Sequence, residues 1–458
     1  MLWMRESQIS FEPVNQAVLI QTFVRGLLGK LGGAGKRSDL DERNIEHFLG
    51  HLAEHFIKEW KHSVPRLTIE KIAIDYFHSF FDLKYLHLSA GDVLNELIRR
   101  GVLIEINGGI GFKYRCFFEY FAAQRMGDSR EFYEEVTLTD NILRFSREID
   151  TFTALKRDDE AILKKLTEQT ETCFEQINSK FDLERFNALP SPLITKLSTN
   201  EIKRDLEEAK PDRETKDDIL DSSTRSPNFE IDQCPSATDK DHEHYEPGEL
   251  LELLSRVLRN SELVKIGEDD KYILASNIFR YWGMLLAEIM TKAEEAKDTE
   301  ELPPEIRKLG PQLPLIIIPQ LLLQICNESI GSAKLGGMLK NVYSEEKNPA
   351  LIRLLSALVY FELRLEKRFE LIRGLMILVK DKPFLASIAF VKLRIVYMMG
   401  ELSKHEEEVT LDMLTELYVC MQNISGGMAS KELALAKSQI QLGLKTQKDS
   451  VRALGEGN

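Results

Sequence analysis

Phe112-Lys113-Tyr114-Arg115-Cys116-Phe117-Phe118-Glu119-Tyr120-Phe121-Ala122-Ala123 is the stretch whose reading decides the fold of this chain. Ile110, Phe112 and Tyr114 alternate with Gly111, Lys113 and Arg115, which predicts a strand ending near Cys116. An aromatic helix is expected to begin at once. Full burial of one such ring stabilises by roughly 1.5–3 kcal/mol. Phe117, Phe118, Tyr120 and Phe121 therefore predict a helix held inside a larger assembly.

The residues before it predict a winged helix over 66–127. Thr68 reads as an N-cap. Ile69, Ile72, Ala73, Tyr76, Phe77 and Phe80 then recur at helical spacing. Ser89 reads as the cap of a second helix with Val93, Leu94, Leu97 and Ile98 on its inner face. Gly101 supplies the left-handed residue that ends it. Val102 to Ile106 reads as a strand, and Asn107-Gly108-Gly109 as a hairpin turn.

Residues 1–65 are expected to form a helical subdomain. Leu19, Phe23, Leu27 and Leu31 recur at a spacing of four, and Ile20, Val24 and Leu28 widen the stripe. Gly32-Gly33-Ala34-Gly35-Lys36-Arg37-Ser38 fails as a phosphate loop, because Lys30 stands where Gly is needed and Arg37 where Ser or Thr is needed. His47, His51 and His55 share one helix face, a spacing a metal could use. Leu52 stands where the zinc-protease pattern needs Glu, so packed histidines are the expectation and no metal site is assigned.

Residues 128–187 read as a helical extension with Ile162, Leu163, Leu166, Phe174 and Ile177 inward. The segment 188–248 is acidic and punctuated by Pro190, Pro192, Pro211, Pro227, Pro235 and Pro247. It reads as a disordered linker, and its Cys234, His242 and His244 lack the rigid frame a metal needs. Residues 249–449 predict a second helical domain, with helices at Leu351 to Arg364, Arg368 to Val379, Pro383 to Met399 and Leu411 to Met421. Residues 450–458 form a polar tail. The fold class is mainly α: a helical subdomain plus a winged helix with one β-hairpin, a disordered linker, then a C-terminal helical or α-solenoid domain. No fixed-period repeat consensus is found.

The net charge of −14 and a pI near 5.3 argue against nucleic acid as the main partner. Arg364, Lys367, Arg368 and Arg373 are locally basic and read as a solvated helix face. The five cysteines are scattered, which predicts reduced thiols and a cytoplasmic protein. Met1 to Arg5 lacks an apolar signal core. The longest apolar run, Leu313 to Leu323, is broken by Pro314, Pro319 and Gln320. It falls short of the roughly 20 residues a membrane span needs. No GxSxG elbow or intact phosphate loop is present.

Phe112 to Ala123 resembles the end of the winged-helix subdomain in NACHT-type STAND NTPases, large signalling ATPases of innate immunity and bacterial defence. Their usual run is Phe-x-His-x-Ser-Phe-x-Glu-Tyr-Phe-Ala-Ala. Phe112, Phe117, Glu119, Tyr120, Phe121, Ala122 and Ala123 match it, whereas Tyr114 stands at the His position and Cys116 at the Ser position. Pro13 to Trp60 resembles the preceding helical subdomain. Asn141 to Phe145 through Lys156 to Asp159 resembles the helices that follow.

The resemblance implies a regulatory or sensor fragment, acting by protein–protein or ligand recognition in signalling or defence. The family's Walker A and Walker B segments lie N-terminal to the helical subdomain, and this chain is expected to start after them. It is thus expected not to be an enzyme alone, and to meet ATP or ADP only through a nucleotide-binding module supplied elsewhere. That module, or a sensed ligand, is the implied partner. The family His contacts the nucleotide phosphate, which makes Tyr114 the nucleotide-facing candidate. Its hydroxyl can hydrogen-bond but cannot carry an imidazolium charge. Two other readings stand beside this one. One is a winged-helix DNA-binding regulator whose recognition helix, Asp92 to Arg100, is charge-balanced. The other is a helical scaffold without nucleotide dependence.

Overall fold

Pro65 lacks a backbone N–H, so it suits the end of an edge strand and the entry to a helix. The computed structural model uses it in both ways. The structure describes residues 16–29, 42–61, 63–80, 89–106, 108–178, 180–192, 247–295, 313–399 and 402–421, with 434, 437–446 and 448. The glycine-rich loop at 32–38, the tail at 450–458 and nearly all of the 188–248 linker lie outside these residues. Among the described residues the chain is mainly α with one three-stranded antiparallel sheet. They fall into two compact units. The first holds residues up to 164 with 260–265, and the second holds 165–192, 247–259 and residues from 266 onward.

In the first unit, helices α1 (Gln16–Gly29) and α2 (Glu42–Glu59) lead into strand β1 (Ser63–Pro65). Helix α3 (Arg66–Phe80) follows directly. Two expectations are corrected here. Residues 63–65 are strand rather than helix, and Thr68 lies inside α3 rather than capping it. The sequence carries no β-periodicity over so short a strand.

Helix α4 (Ala90–Arg99) begins with a capping box. The Ser89 hydroxyl accepts from the Asp92 N–H at 3.1 Å, and the Asp92 carboxylate accepts from the Ser89 N–H at 3.2 Å. Ser89→Ala is expected to lower stability by about 1 kcal/mol, read as a shift in urea midpoint. Gly101 ends the helix at φ 74°, where a side chain would be strained.

Strands β2 (Leu103–Ile106) and β3 (Gly109–Phe112) form the hairpin, with Leu103 opposite Phe112 and Ile106 opposite Gly109. Gly108 turns it at φ 81°. The expected two-stranded wing is a three-stranded sheet, because β1 pairs along the other edge of β3, Val64 opposite Ile110. Helix α5 (Arg115–Asp128) follows, then α6 (Arg130–Val136) and α7 (Ser146–Leu155). Helix α8 (Glu160–Asn178) carries the boundary between the units.

The second unit is helical. After α9 (Pro247–Asn260), α10 (Glu268–Glu295), α11 (Leu313–Ile330) and α12 (Gly336–Ser344) comes α13 (Ala350–Glu362). Every residue of α13 from Ala350 to Phe361 except Arg353 is buried. An all-round apolar helix of this kind is a core helix. Pro319 sits within α11, and the apolar run from Leu313 to Leu323 is helical throughout. Helices α14 (Arg368–Val379), α15 (Pro383–Met399) and α16 (Lys404–Met421) follow, and residues 437–446 are also helical. α16 starts seven residues before the expected Leu411. Ser403 accepts from the Glu406 N–H and fixes that start. No described helix is by itself long and apolar enough to cross a membrane. One pair, Leu315–Ile330 with Ala333–Ser344, passes that test only when joined, and it is bent by 92°.

Candidate functional site

The seam between the wing and α5 is built from the wing outward. The strand stops at Phe112, four residues short of the expected end near Cys116. The Lys113 N–H still donates to the Val102 carbonyl at 3.0 Å, and Tyr114 is the extended N-cap residue of α5, with no side-chain cap bond. Its carbonyl accepts from the N–H groups of Phe117 and Phe118 at 3.0 and 3.4 Å. The next turn then buries Phe117, Tyr120, Phe121, Ala122 and Ala123.

Phe112 is the hinge of an aromatic cluster. Its ring stacks on Phe121 at 5.6 Å and meets Phe56 edge-on at 5.7 Å. Phe118 is only half-buried, with its ring 5.8 Å from that of Phe112. Such aromatic pairs add about 0.5–1.5 kcal/mol beyond area burial. From α1, Phe23 stacks on Phe117 at 6.0 Å. Helices on both sides in sequence, α2 and α7, also pack on α5.

Tyr114 is 41 % exposed at the start of this helix. Its ring stands edge-on to Phe117 at 5.2 Å, and the Lys113 ammonium lies 5.3 Å from its centroid. Arg115 donates to Glu119 at 3.0 Å, and Arg147 from α7 approaches the same carboxylate at 3.7 Å. Beside them, Glu148 is 3 % exposed. Burial raises its carboxyl to about 7, opposed by its own backbone N–H and then reinforced by the nearby Glu119 charge. Arg115 and Arg147 pull the other way. The Tyr120 hydroxyl donates to Glu46 at 3.1 Å, and Arg25 lies 3.7 Å from that oxygen. Burial pushes the Tyr120 phenol upward, and it also raises Glu46. The seam thus combines an apolar interior with a charged rim at the exposed Tyr114 end.

The three-histidine face resolves differently from a metal arrangement. His47 Nδ1 and the Tyr76 hydroxyl are 2.5 Å apart, and the His51 ring lies 5.1 Å from the Tyr76 ring. Burial, with Arg125 and His47 adding to it, lowers His51 to about 4. Among the described residues no cluster of three or more His, Cys, Asp or Glu could hold a metal. Cys116, Cys173, Cys326 and Cys420 are free thiols, each raised by burial. On α4, Glu96 binds both Arg99, at 2.5 Å, and Arg100, at 2.6 Å.

The comparison with protein families matches residues 65–122 to the model described as Novel STAND NTPase 4. This segment is STAND NTPase-related. The match begins at Pro65, where β1 hands over to α3, runs through the wing, and ends on the buried Ala122 of α5. It therefore covers Phe112, Tyr114, Phe117, Glu119, Tyr120 and Phe121. No curated protein and no solved structure matches the chain.

Arg25, Glu46, Arg147 and Glu148 carry no sequence signal of belonging to the seam. They lie on helices distant in sequence, and each reads singly as surface charge. Glu148 shares a helical face with Phe152, four residues on, but that spacing alone does not separate it from amphipathic scatter.

Proposed function

We propose that this chain is the regulatory and sensing part of a STAND-type signalling system of the NACHT kind, acting in the cytoplasm in signalling or defence. The winged helix and α5 transmit the state of a nucleotide-binding module, and the second helical unit recognises a ligand or partner. The observation that carries this reading is the STAND-related match ending inside α5, a helix that α1, α2 and α7 enclose. A regulatory relay needs a rigid element that touches several helices at once, so that a shift at one end moves the others.

In this reading Tyr114 faces the module through its half-exposed ring, and the charged rim of Arg115, Glu119 and Arg147 lies beside the contact. The chain contributes no hydrolysis itself, and the ATP or ADP whose state the winged helix follows reaches the complex on the module. The pairing of Arg99 and Arg100 with Glu96 supports a protein partner over DNA, since both cations are already engaged by that carboxylate. The NACHT assignment rests on the match of Phe112, Phe117, Glu119, Tyr120 and Phe121 to the family run.

The test is to sequence the transcript and the DNA immediately upstream of the Met1 codon. The expected result is a fused or adjacent reading frame that encodes a phosphate loop and a Walker B acidic segment. Absence of any such frame would overturn the split-system reading and favour a nucleotide-independent scaffold.

A further inference from the structure

In the second unit, α13 and α14 are joined by the five-residue turn 363–367. Arg364 and Lys367 in that turn both adopt left-handed backbone, at φ 54° and 59°. Non-glycine residues rarely hold this conformation, and a glycine would hold it without strain. The turn is nevertheless fixed: the Tyr360 hydroxyl donates to the Glu366 carbonyl at 2.8 Å, and the Arg368 N–H donates to the Leu365 carbonyl at 3.3 Å. Strained residues kept in a pinned turn are a feature of binding sites.

The turn borders a cavity of about 510 Å³, closed on the other side by the start of α16. That volume is in the range of small-molecule sites. Arg364, Lys367, Arg368 and Arg373 line it, against the carboxylates Glu370 and Glu406. Arg368 and Glu406 bind each other at 2.5 Å, and Ser403 holds Glu406 from behind. This pair neutralises itself and leaves Glu370 facing three cations. Among the described residues Arg364, Lys367 and Arg373 have no ion pair. No side chain caps α14, whose positive dipole end opens at Lys367. Leu365, Phe369 and Val409 give the cavity an apolar wall. The cations that read as a solvated face in sequence are thus gathered around one depression of an acidic protein.

We infer that this cavity binds a small organic polyphosphate of nucleotide size, with its phosphates among Arg364, Lys367, Arg373 and the α14 N-terminus and its apolar body on the Leu365–Phe369–Val409 wall. Two or more phosphates match three spaced cations. The fixed turn presents Arg364 and Lys367, and α14 presents Arg373, from backbone that needs no ordering on binding. The inference deepens the reading of the second unit as the recognition half of the chain.

The experiment is calorimetric titration of the purified full chain, without added metal, using ATP, pyrophosphate, adenosine and an oligoglutamate peptide as probes. Saturable one-to-one binding of ATP is expected, with pyrophosphate weaker and adenosine and the peptide silent at millimolar concentration. The double variant Lys367→Gln/Arg373→Gln is expected to lose about tenfold or more in ATP affinity. Both side chains are exposed, so its melting temperature should match the wild type. Tyr114→Ala is expected to leave this affinity unchanged. Absence of saturable ATP binding, equal binding by the double variant, or peptide binding as tight as ATP would each overturn the inference. None of those results would bear on the upstream reading frame that tests the proposed function.

Discussion

Phe117→Ala is expected to destabilise the first unit by about 3–5 kcal/mol, the range for truncating a buried aromatic side chain. Phe117 is 2 % exposed, and its ring meets Phe23 at 6.0 Å and Tyr114 at 5.2 Å. Removing it leaves a void between α1 and α5 that neither helix can fill without shifting the other. The half-buried Phe118 serves as the internal control, and its replacement by Ala should cost clearly less. Urea unfolding followed by near-ultraviolet circular dichroism of both variants measures the difference. A loss below about 1 kcal/mol for Phe117→Ala would place it outside the core.

Glu148→Gln is expected to stabilise the protein by about 3 kcal/mol near pH 8 and to have little effect near pH 4. The native carboxyl keeps its proton up to about pH 7, against 4.5 for the ordinary group. The folded state therefore binds more protons than the unfolded state between those values. Stability from this group is fully present at low pH and is lost as pH rises through 7. His51 acts in the opposite sense. Its native value near 4 means that its contribution is present above 6.5 and is lost as pH falls toward 4. In the wild type the two effects oppose each other between pH 4 and 7. Glu148→Gln removes one of them, so stability should then rise with pH across that window. Urea midpoints at several pH values check this. An equal shift at low and high pH would assign the effect to packing rather than ionisation.

The winged helix was largely legible because its signals are local. Ser89 and Asp92 cap α4, Gly101 turns left-handed, and Gly108 closes the hairpin, each within a few residues of the feature it makes. β1 was not legible. Three residues cannot display an alternation, and their partner β3 lies more than forty residues away. The strand is expected to run to about Cys116, four residues too far, because Tyr114 and Arg115 continue the alternation in sequence although the Tyr114 backbone already serves as the cap of α5. At the seam, the burial of Phe117, Tyr120 and Phe121 followed from apolar cost alone. The charged rim did not, because Arg147 and Glu148 reach Glu119 only through the packing of α7 on α5. The basic cavity was visible as composition but not as a site, since nothing in Arg364, Lys367 or Arg373 reveals the left-handed turn that gathers them.

The most direct test of the regulatory reading is affinity capture of the full chain from its native cells in ATP, in ADP and without nucleotide, with bound proteins quantified by mass spectrometry. The expected result is a partner that carries a phosphate loop and a Walker B segment, recovered in amounts that differ between ATP and ADP. Recovery of the same proteins in all three conditions, none with a phosphate loop, would contradict it.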